Sequence, residues 1–261
     1  MSLFRCEGII LRVRDFGEAD RILTILSPDE GKFEAVARGA RRTRSRHSGS
    51  TQQFSRGQFL VFRGRNIDTL SQVEMLPGFP SLTTVLEKMA YASYVAELID
   101  RMTGERERSE SLFSLALATF RALDEGSDPA MVTRAFEIKF MSEMGFQPEL
   151  ERCVGCGAPE AAAPWLGPGA GGLLCAKCRT RDVNAVAFSP AARETAKRLL
   201  AWDYRRIPAL SPGSGTRAEL DRAFRAYVDH RVERRLRSLD FIEEITSIGG
   251  RQEGESGSRE D

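Results

Sequence analysis

Four cysteines constrain this chain most strongly. Cys153 and Cys156 form one C-x2-C pair, and Cys175 and Cys178 form a second pair after eighteen intervening residues. A C-x2-C turn brings two thiolates within reach of one ion, and two such turns complete the tetrahedral sulfur set that Zn2+ favours. A closed four-thiolate site leaves no position for water or substrate, so we expect one structural zinc ion. Two disulfides or four unbound thiols are the alternative interpretation.

Whether the cysteines bind zinc or form disulfides depends on the cellular compartment. Residues 1–6 contain no apolar signal region, and no run of about eighteen apolar residues occurs anywhere, so we expect a cytoplasmic chain without a membrane span. A reducing cytosol favours thiolate ligands over disulfides. The fifth cysteine, Cys6, is expected to pack as a small apolar group.

Charge is distributed unevenly, although the net charge is only +1. Residues 1–80 hold 13 Lys and Arg against 9 Asp and Glu, whereas the remainder holds 25 against 28. Residues 35–67 contain no acid and eight arginines: Arg38, Arg41, Arg42, Arg44, Arg46, Arg56, Arg63 and Arg65. An acid-free stretch of this length indicates a polyanionic partner, and a charged loop without a partner is the plainer alternative.

The first eighty residues have the pattern of short strands. Runs rich in β-branched residues alternate with turn residues, and a polar gap from Gly39 to Gly57 interrupts them. The predicted strands cover residues 7–13, 21–26, 32–38, 58–63 and 68–74. Five strands with one long basic loop predict a small closed barrel, for which the OB-fold, a frequent nucleic-acid binder, is the leading candidate.

Helical signals dominate after the Pro77–Pro80 segment. Apolar residues recur at helical spacing near residues 86–102, 129–144, 190–200 and 216–228. Helix starts are predicted at two capping boxes, Thr84-x-x-Glu87 and Thr216-x-x-Glu219, and at Asp128-Pro129 and Ser189-Pro190. We therefore expect an α+β chain: a five-stranded OB-fold DNA-binding domain over 1–80, a helical domain over 81–246 and a disordered tail over 247–261. The four-cysteine zinc module is inserted in the helical domain at about 151–182.

Signs of catalysis are absent from the sequence. The chain has only two histidines, His47 and His230, and neither belongs to an H-E-x-x-H pattern. No Walker-type phosphate loop and no G-x-S-x-G elbow occur. We therefore expect no enzyme. A zinc-containing enzyme acting on nucleic acid and a zinc-ribbon transcription regulator remain as alternatives.

Several motifs resemble those of the RecO family of bacterial recombination mediators. The N-terminal ones are Gly8–Ile22 (GIILRVRDFGEADRI) and Val36–Arg46 (VARGARRTRSR), in which Arg44 stands where lysine is common. The central region matches at FEIKF (136–140), at GFQPEL (145–150) and at the cysteine pairs. The segment LRSLDFI (236–242) matches the C-terminal end, so the likeness covers nearly the whole chain except the tail.

The resemblance implies an N-terminal OB-fold, a helical body and an inserted zinc module. It also implies binding to single- and double-stranded DNA, annealing of complementary strands, and partnership with RecR and with the C-terminal peptide of the single-stranded-DNA-binding protein SSB. Together these activities would load RecA onto SSB-coated gaps, in the cytoplasm and in association with the nucleoid.

Arginine suits such a task, because its planar guanidinium grips phosphate oxygens in a fork and stacks on bases. The first choices for phosphate contact are Arg38, Arg41, Arg42, Arg44 and Arg46, and the second are Lys32, Arg56, Arg63 and Arg65. Phe54, Phe59 and Phe62 are candidates for base stacking, although a barrel interior also needs large apolar residues. A second basic run, which includes Arg222, Arg225, Arg231, Arg234, Arg235 and Arg237, is interleaved with acids and predicts mainly a solvent face.

Overall fold

A computed structural model describes residues 2–42, 49–232 and 236–245, with the side chain of residue 160 excepted. Two compact units make up the chain: Met1–Glu125 together with the chain from Leu236 onward, and Gly126–Arg235. Arg44, Arg46, His47, Arg234, Arg235 and the predicted tail over 247–261 lie outside the described residues.

The first unit begins with the predicted barrel. Its strands are β1 (Leu3–Phe16), β2 (Asp20–Ser27), β3 (Gly31–Ala37), β4 (Arg56–Phe62) and β5 (Asp68–Met75). They close in the order β1-β2-β3-β5-β4, with β3 and β5 parallel and every other pair antiparallel. This five-stranded closure confirms the OB-like barrel, and the basic loop joins β3 to β4.

One large apolar residue from each strand meets in the barrel interior: Ile10, Leu23, Phe33, Phe59 and Leu70. Strand β1 is long enough to pair with β4 over its first half and with β2 over its second half. A register shift between Ile10 and Arg12 bends the strand where it changes partner. Burial alternates along β4, as expected for a strand with one face inside the barrel, whereas most residues of β2 and β3 are buried.

Three helices complete the described part of this unit before residue 125: α1 (Ser81–Thr84), α2 (Leu86–Met102) and α3 (Glu110–Asp124). Helix α2 packs against β1, and α3 packs against α2 and β2. Ser109 caps α3 by accepting the Leu112 N–H at 3.0 Å. Residues 237–245 form a further helical segment assigned to the same unit.

The second unit contains helices α4 (Pro129–Glu143), α5 (Pro190–Ala201) and α6 (Ser214–Asp229), which pack on one another. Between α4 and α5 lies a small antiparallel sheet of β6 (Trp165–Gly167), β7 (Gly172–Leu174) and β8 (Val186–Ala187), with β6 in the middle. The cysteine pairs flank these strands, with Cys153 and Cys156 before β6 and Cys175 and Cys178 after β7. The expected insertion within a helical body is confirmed.

The structure confirms two of the predicted helix caps and contradicts the other two. Asp128 caps α4 and Ser189 caps α5, each directly before a proline at the first helical position, as predicted. The predicted capping box at Thr84 is wrong, because Val85 precedes α2 and the Thr84 hydroxyl donates to the carbonyl of Pro80. The predicted start at Thr216 is also wrong, because α6 begins at Ser214 and Glu219 accepts the N–H of Ser189.

Candidate metal centre and nucleic-acid interface

The four cysteine sulfur atoms converge on one point in the second unit. Their Sγ atoms all lie within 4.8 Å of one another, and those of Cys156 and Cys175 are 3.7 Å apart. A regular tetrahedron of sulfurs around zinc, at about 2.3 Å from the metal, separates the sulfurs by about 3.8 Å. The donor set and its spacing therefore fit a closed tetrahedral ion, and Cys153, Cys156, Cys175 and Cys178 form a metal-binding cluster.

The protonation of the thiols agrees with a site for a cation. Burial raises the pKa of Cys153, but hydrogen bonds from the backbone N–H groups of Cys175, Gly155 and Cys156 outweigh burial and lower this pKa to about 6. Burial and the three neighbouring sulfurs raise the pKa of Cys178 to about 12. Four such sulfurs repel one another as thiolates, and a positive ion among them removes that repulsion.

Local backbone geometry brings the two cysteine pairs together. The N–H of Gly157 donates to the Cys153 carbonyl at 2.8 Å, and Gly157 takes a φ of +74°, which glycine adopts without strain. A side chain at Gly155 would place its Cβ 2.8 Å from the sulfur of Cys178. The N–H of Cys175, next to β7, points at the sulfur of Cys153 at 3.3 Å. The turn that carries Cys153 and Cys156 thus depends on Gly155 and Gly157 as well as on its thiols.

The described part of the basic loop is held against the β1–β2 hairpin. The Arg41 N–H donates to the Ala19 carbonyl at 2.9 Å, and its guanidinium donates to the Gly17 carbonyl at 3.1 Å. The N–H of Gly39 donates to the Asp20 carboxylate at 2.7 Å. These bonds make residues 38–42 a defined ledge beside the hairpin, which we call the arginine ledge.

The side chains of the arginine ledge differ in how they are used. Arg38 and Arg42 are exposed and form no ion pair with a described residue, whereas the Arg41 guanidinium lies 3.4 Å from the Asp15 carboxylate. Arg65, on the β4–β5 connection, is also exposed and forms no such pair. Arg38, Arg42 and Arg65 therefore present their charge to solvent, and Arg41 shares its charge with the hairpin.

The remaining predicted cations of the barrel are engaged by acids. Lys32 is buried, with its ammonium 3.2 Å from the Asp100 carboxylate. Arg56 binds Glu7 at 2.6 Å, and Arg63 binds Glu30 at 2.5 Å. Sequence reasoning missed these partners because they lie 33 to 68 positions away along the chain. An acid-free stretch of sequence therefore does not produce an acid-free surface.

The predicted stacking residues are also divided by the structure. Phe54 and Phe59 are buried, and Phe54 packs on Phe120, so neither ring is available to a base. Phe62 is 41% exposed on β4, but it pairs with Leu3 at the end of β1 opposite to the arginine ledge, so we do not assign it to the interface. Sequence reasoning overlooked Phe16, at the end of β1, which is 52% exposed beside the arginine ledge.

The second basic run is largely committed to local contacts. Arg225 pairs with Asp229 at 3.8 Å, and Arg231 donates to the carbonyls of Pro168 and Tyr227. Arg222 is exposed on α6. These contacts agree with the mixed-sign solvent face expected from the sequence.

Among the described helices, none is both long and apolar enough to span a bilayer.

Two family models match the chain and together cover the barrel and most of the rest. The model described as the N-terminal part of recombination protein O matches residues 1–79, and the model described as its C-terminal part matches residues 84–240. The chain belongs to the RecO family. The barrel is thus the RecO N-terminal domain, and the family is one of DNA repair proteins.

Curated relatives agree with this membership over nearly their whole length. The DNA repair protein RecO of Symbiobacterium thermophilum is 43% identical over 95% of this chain and 99% of its own length. The RecO protein of Pelotomaculum thermopropionicum is 40% identical over 93% of this chain and 94% of its own length. The RecO protein of Bacillus subtilis is 32% identical over 94% of this chain and 96% of its own length.

Proposed function

We propose that this RecO-family chain binds single- and double-stranded DNA, anneals complementary strands and, with RecR, helps load RecA onto SSB-coated single strands during gap and double-strand-break repair. Family membership and the arginine ledge support this proposal. Contacts with RecR and with the C-terminal peptide of SSB, and a place in the cytoplasm in association with the nucleoid, are parts of the same proposal.

The observation that carries the DNA-binding part is the pinning of the arginine ledge to the hairpin. Three backbone or side-chain bonds from Gly39 and Arg41 to β1–β2 order the chain where Arg38 and Arg42 leave it. A phosphate contact made from an ordered backbone costs less conformational freedom than one made from a mobile loop. Each phosphate that it neutralises also releases counterions, so the affinity should fall steeply with salt.

We propose Arg38, Arg42 and Arg65 as direct phosphate contacts, with Arg44 and Arg46 continuing the same loop. Arg41 is proposed to serve both as an anchor and as a contact. Lys32, Arg56 and Arg63 are bound to Asp100, Glu7 and Glu30, and we propose that they shape the barrel rather than grip DNA. The cysteine cluster is proposed to hold one structural zinc ion, because a closed set of four sulfurs leaves no open ligand position.

We also propose that the chain is no enzyme and that it acts by holding two polyanions together. The test is annealing of complementary labelled oligonucleotides coated with the cognate SSB, with wild type and Arg38→Ala/Arg42→Ala compared. Arg152→Ala/Arg205→Ala is the matched control, because it removes two exposed arginines from the second unit.

We expect annealing to be accelerated by the wild type and the control and to be lost in Arg38→Ala/Arg42→Ala. Absence of acceleration by folded, zinc-loaded wild type would contradict the mediator function. Cleavage or base release from the labelled DNA would favour an enzyme, and strong preference for one duplex sequence would favour a transcription regulator.

A further inference from the structure

Phe16 is an aromatic residue that stands half exposed on the barrel, outside the core cluster. It is the last residue of β1 and faces Asp20 across the hairpin. Its side chain is 52% exposed, and no ring contact joins it to another described residue. An exposed phenyl ring leaves apolar surface in water, and contact with a partner would remove that surface.

The surroundings of Phe16 tie it to the arginine ledge on both sides along the chain. The preceding residue, Asp15, lies 3.4 Å from the Arg41 guanidinium through its carboxylate. The following residue, Gly17, accepts a hydrogen bond from the same guanidinium at 3.1 Å. One arginine side chain thus holds both chain neighbours of Phe16, so the end of β1 that carries the ring is joined to the arginine ledge.

The charges at the hairpin tip decide which part of a nucleotide belongs there. Asp15, Glu18 and Asp20 are acids, of which Asp15 is bound by Arg21 and Arg41 and Asp20 by the N–H of Gly39. A phosphate would meet these carboxylates unfavourably at the tip, whereas Arg38 and Arg42 attract it on the ledge. A base carries no charge and presents a flat face, so the tip suits a base.

We propose that Phe16 stacks on an unpaired base of single-stranded DNA whose phosphates lie on the arginine ledge. This inference rests on the proposed DNA-binding function and adds to it a base contact and a preference. Bases of a duplex are already stacked on one another, whereas an unpaired base is free to stack on an aromatic ring. Phe16 therefore strengthens the binding of single strands and not that of duplexes.

Phe62 supplies a matched control. It is also a surface phenylalanine of the barrel, 41% exposed, but it pairs with Leu3 across the β1–β4 ladder, at the opposite end of β1. Removing it deletes a similar amount of apolar surface from the same barrel without touching the hairpin tip. A non-specific effect of losing an exposed ring would appear equally in both variants.

The test is equilibrium binding by fluorescence anisotropy at one fixed salt concentration. Three ligands of equal length are used: an oligothymidine, a strand of the same backbone whose central sugars lack bases, and a duplex. Wild type, Phe16→Ala, Phe16→Tyr, Phe62→Ala and Arg38→Ala/Arg42→Ala are compared, with folding checked by circular dichroism and thermal unfolding.

We expect Phe16→Ala to weaken oligothymidine binding about tenfold, within the range measured for single base–aromatic stacks, while its affinity for the abasic strand and the duplex stays unchanged. Phe16→Tyr keeps a ring and should bind like wild type, as should Phe62→Ala. Arg38→Ala/Arg42→Ala should weaken binding to all three ligands.

Two outcomes overturn the inference separately from the proposed function. If Phe16→Ala binds oligothymidine as tightly as wild type, or weakens all three ligands equally, Phe16 does not stack, although the arginine result still supports DNA binding. If wild type binds none of the ligands, the proposed function fails and this inference fails with it.

Discussion

The guanidinium of Arg106 binds the carboxylate of Asp68, whose side chain is only 5% exposed at the start of β5. Arg106 also donates to Glu30 at 2.9 Å and lies over the ring of Phe33, 4.6 Å from its centre. Its φ of +62° is in the left-handed region, which costs free energy for a residue with a side chain. The segment after α2 thus inserts one cation among the acids at the end of the barrel.

Removing that cation should destabilise the first unit. Arg106→Ala leaves the Asp68 carboxylate buried without its guanidinium, which typically costs about 3–5 kcal/mol. Urea unfolding at pH 7 measures the change. Arg108→Ala is the control, because the Arg108 side chain is 71% exposed and its guanidinium comes no nearer than 3.9 Å to the Glu30 carboxylate. A loss below about 1 kcal/mol in Arg106→Ala would mean that solvent or another cation replaces the guanidinium.

A second carboxylate binds the final helical segment to the first unit. Glu97 on α2 accepts the N–H of Arg237 at 3.2 Å, and it accepts both the N–H and the hydroxyl of Ser238 at 2.9 and 2.8 Å. These are donors of the first turn of residues 237–245, so Glu97 acts as a cap supplied from elsewhere in the chain.

Glu97→Ala should therefore loosen the final segment. Loss of these hydrogen bonds to a charged acceptor should cost about 1–3 kcal/mol. Hydrogen exchange is expected to speed up at the amides of residues 237–245 and to remain slow in the barrel strands. Glu87→Ala, an exposed glutamate on the same helix, should leave exchange unchanged, and equal protection in both variants would refute the capping role.

The metal centre makes a prediction about stoichiometry and stability. We expect one zinc ion per chain, and we expect Cys175→Ser or a strong chelator to release it and to unfold the β6–β8 region, because zinc affinity is coupled to folding. Elemental analysis and hydrogen exchange of residues 150–188 measure both effects. Cys6→Ala should retain one zinc ion, since Cys6 lies in the barrel core. Full zinc content in Cys175→Ser would contradict a four-sulfur site.

Cys6 gives the barrel a dependence on alkaline pH. Burial raises the pKa of its thiol from 9.0 to about 11. Between these two pH values the thiol keeps its proton in the folded chain and loses it in the unfolded chain. Burial of the neutral thiol therefore contributes fully below pH 9, and that contribution falls as the pH rises towards 11. The loss amounts to roughly 2–3 kcal/mol at most.

The check is the difference in the free energy of unfolding between wild type and Cys6→Ala, measured from pH 8 to pH 11. Tyrosine and lysine titrations are common to both proteins and cancel in the difference. The advantage of wild type should shrink with rising pH, and a constant difference would show that the thiol titrates normally in the barrel.

Sequence patterns predicted those elements that local chemistry determines. Runs rich in β-branched residues between turn residues located the five barrel strands, and the Asp128-Pro129 and Ser189-Pro190 pairs located two helix starts. The cysteine spacing located the metal cluster. In each case the signal lies within a few neighbouring residues, so no knowledge of the tertiary fold is needed.

Features that depend on distant residues escaped prediction. Helix α3 was not identified, although it buries Phe120 against Phe54, a residue that was considered for base stacking. The acids that bind Lys32 and Arg56 come from α2 and from β1. Whether an arginine or a phenylalanine faces solvent depends on which elements pack over it. Counting charged or aromatic residues along the sequence does not reveal that packing.

The hydrogen bonds of Glu97 span 140 and 141 positions of the chain. The first unit is therefore interrupted: everything from Gly126 to Arg235 is made on the ribosome before Ser238 can reach its acceptor. At a typical synthesis rate of about 5–20 residues per second, the barrel and α2 wait several seconds for their last helical segment. The second unit is continuous and has all of its residues during that interval, so it is able to finish folding before the first unit that began earlier.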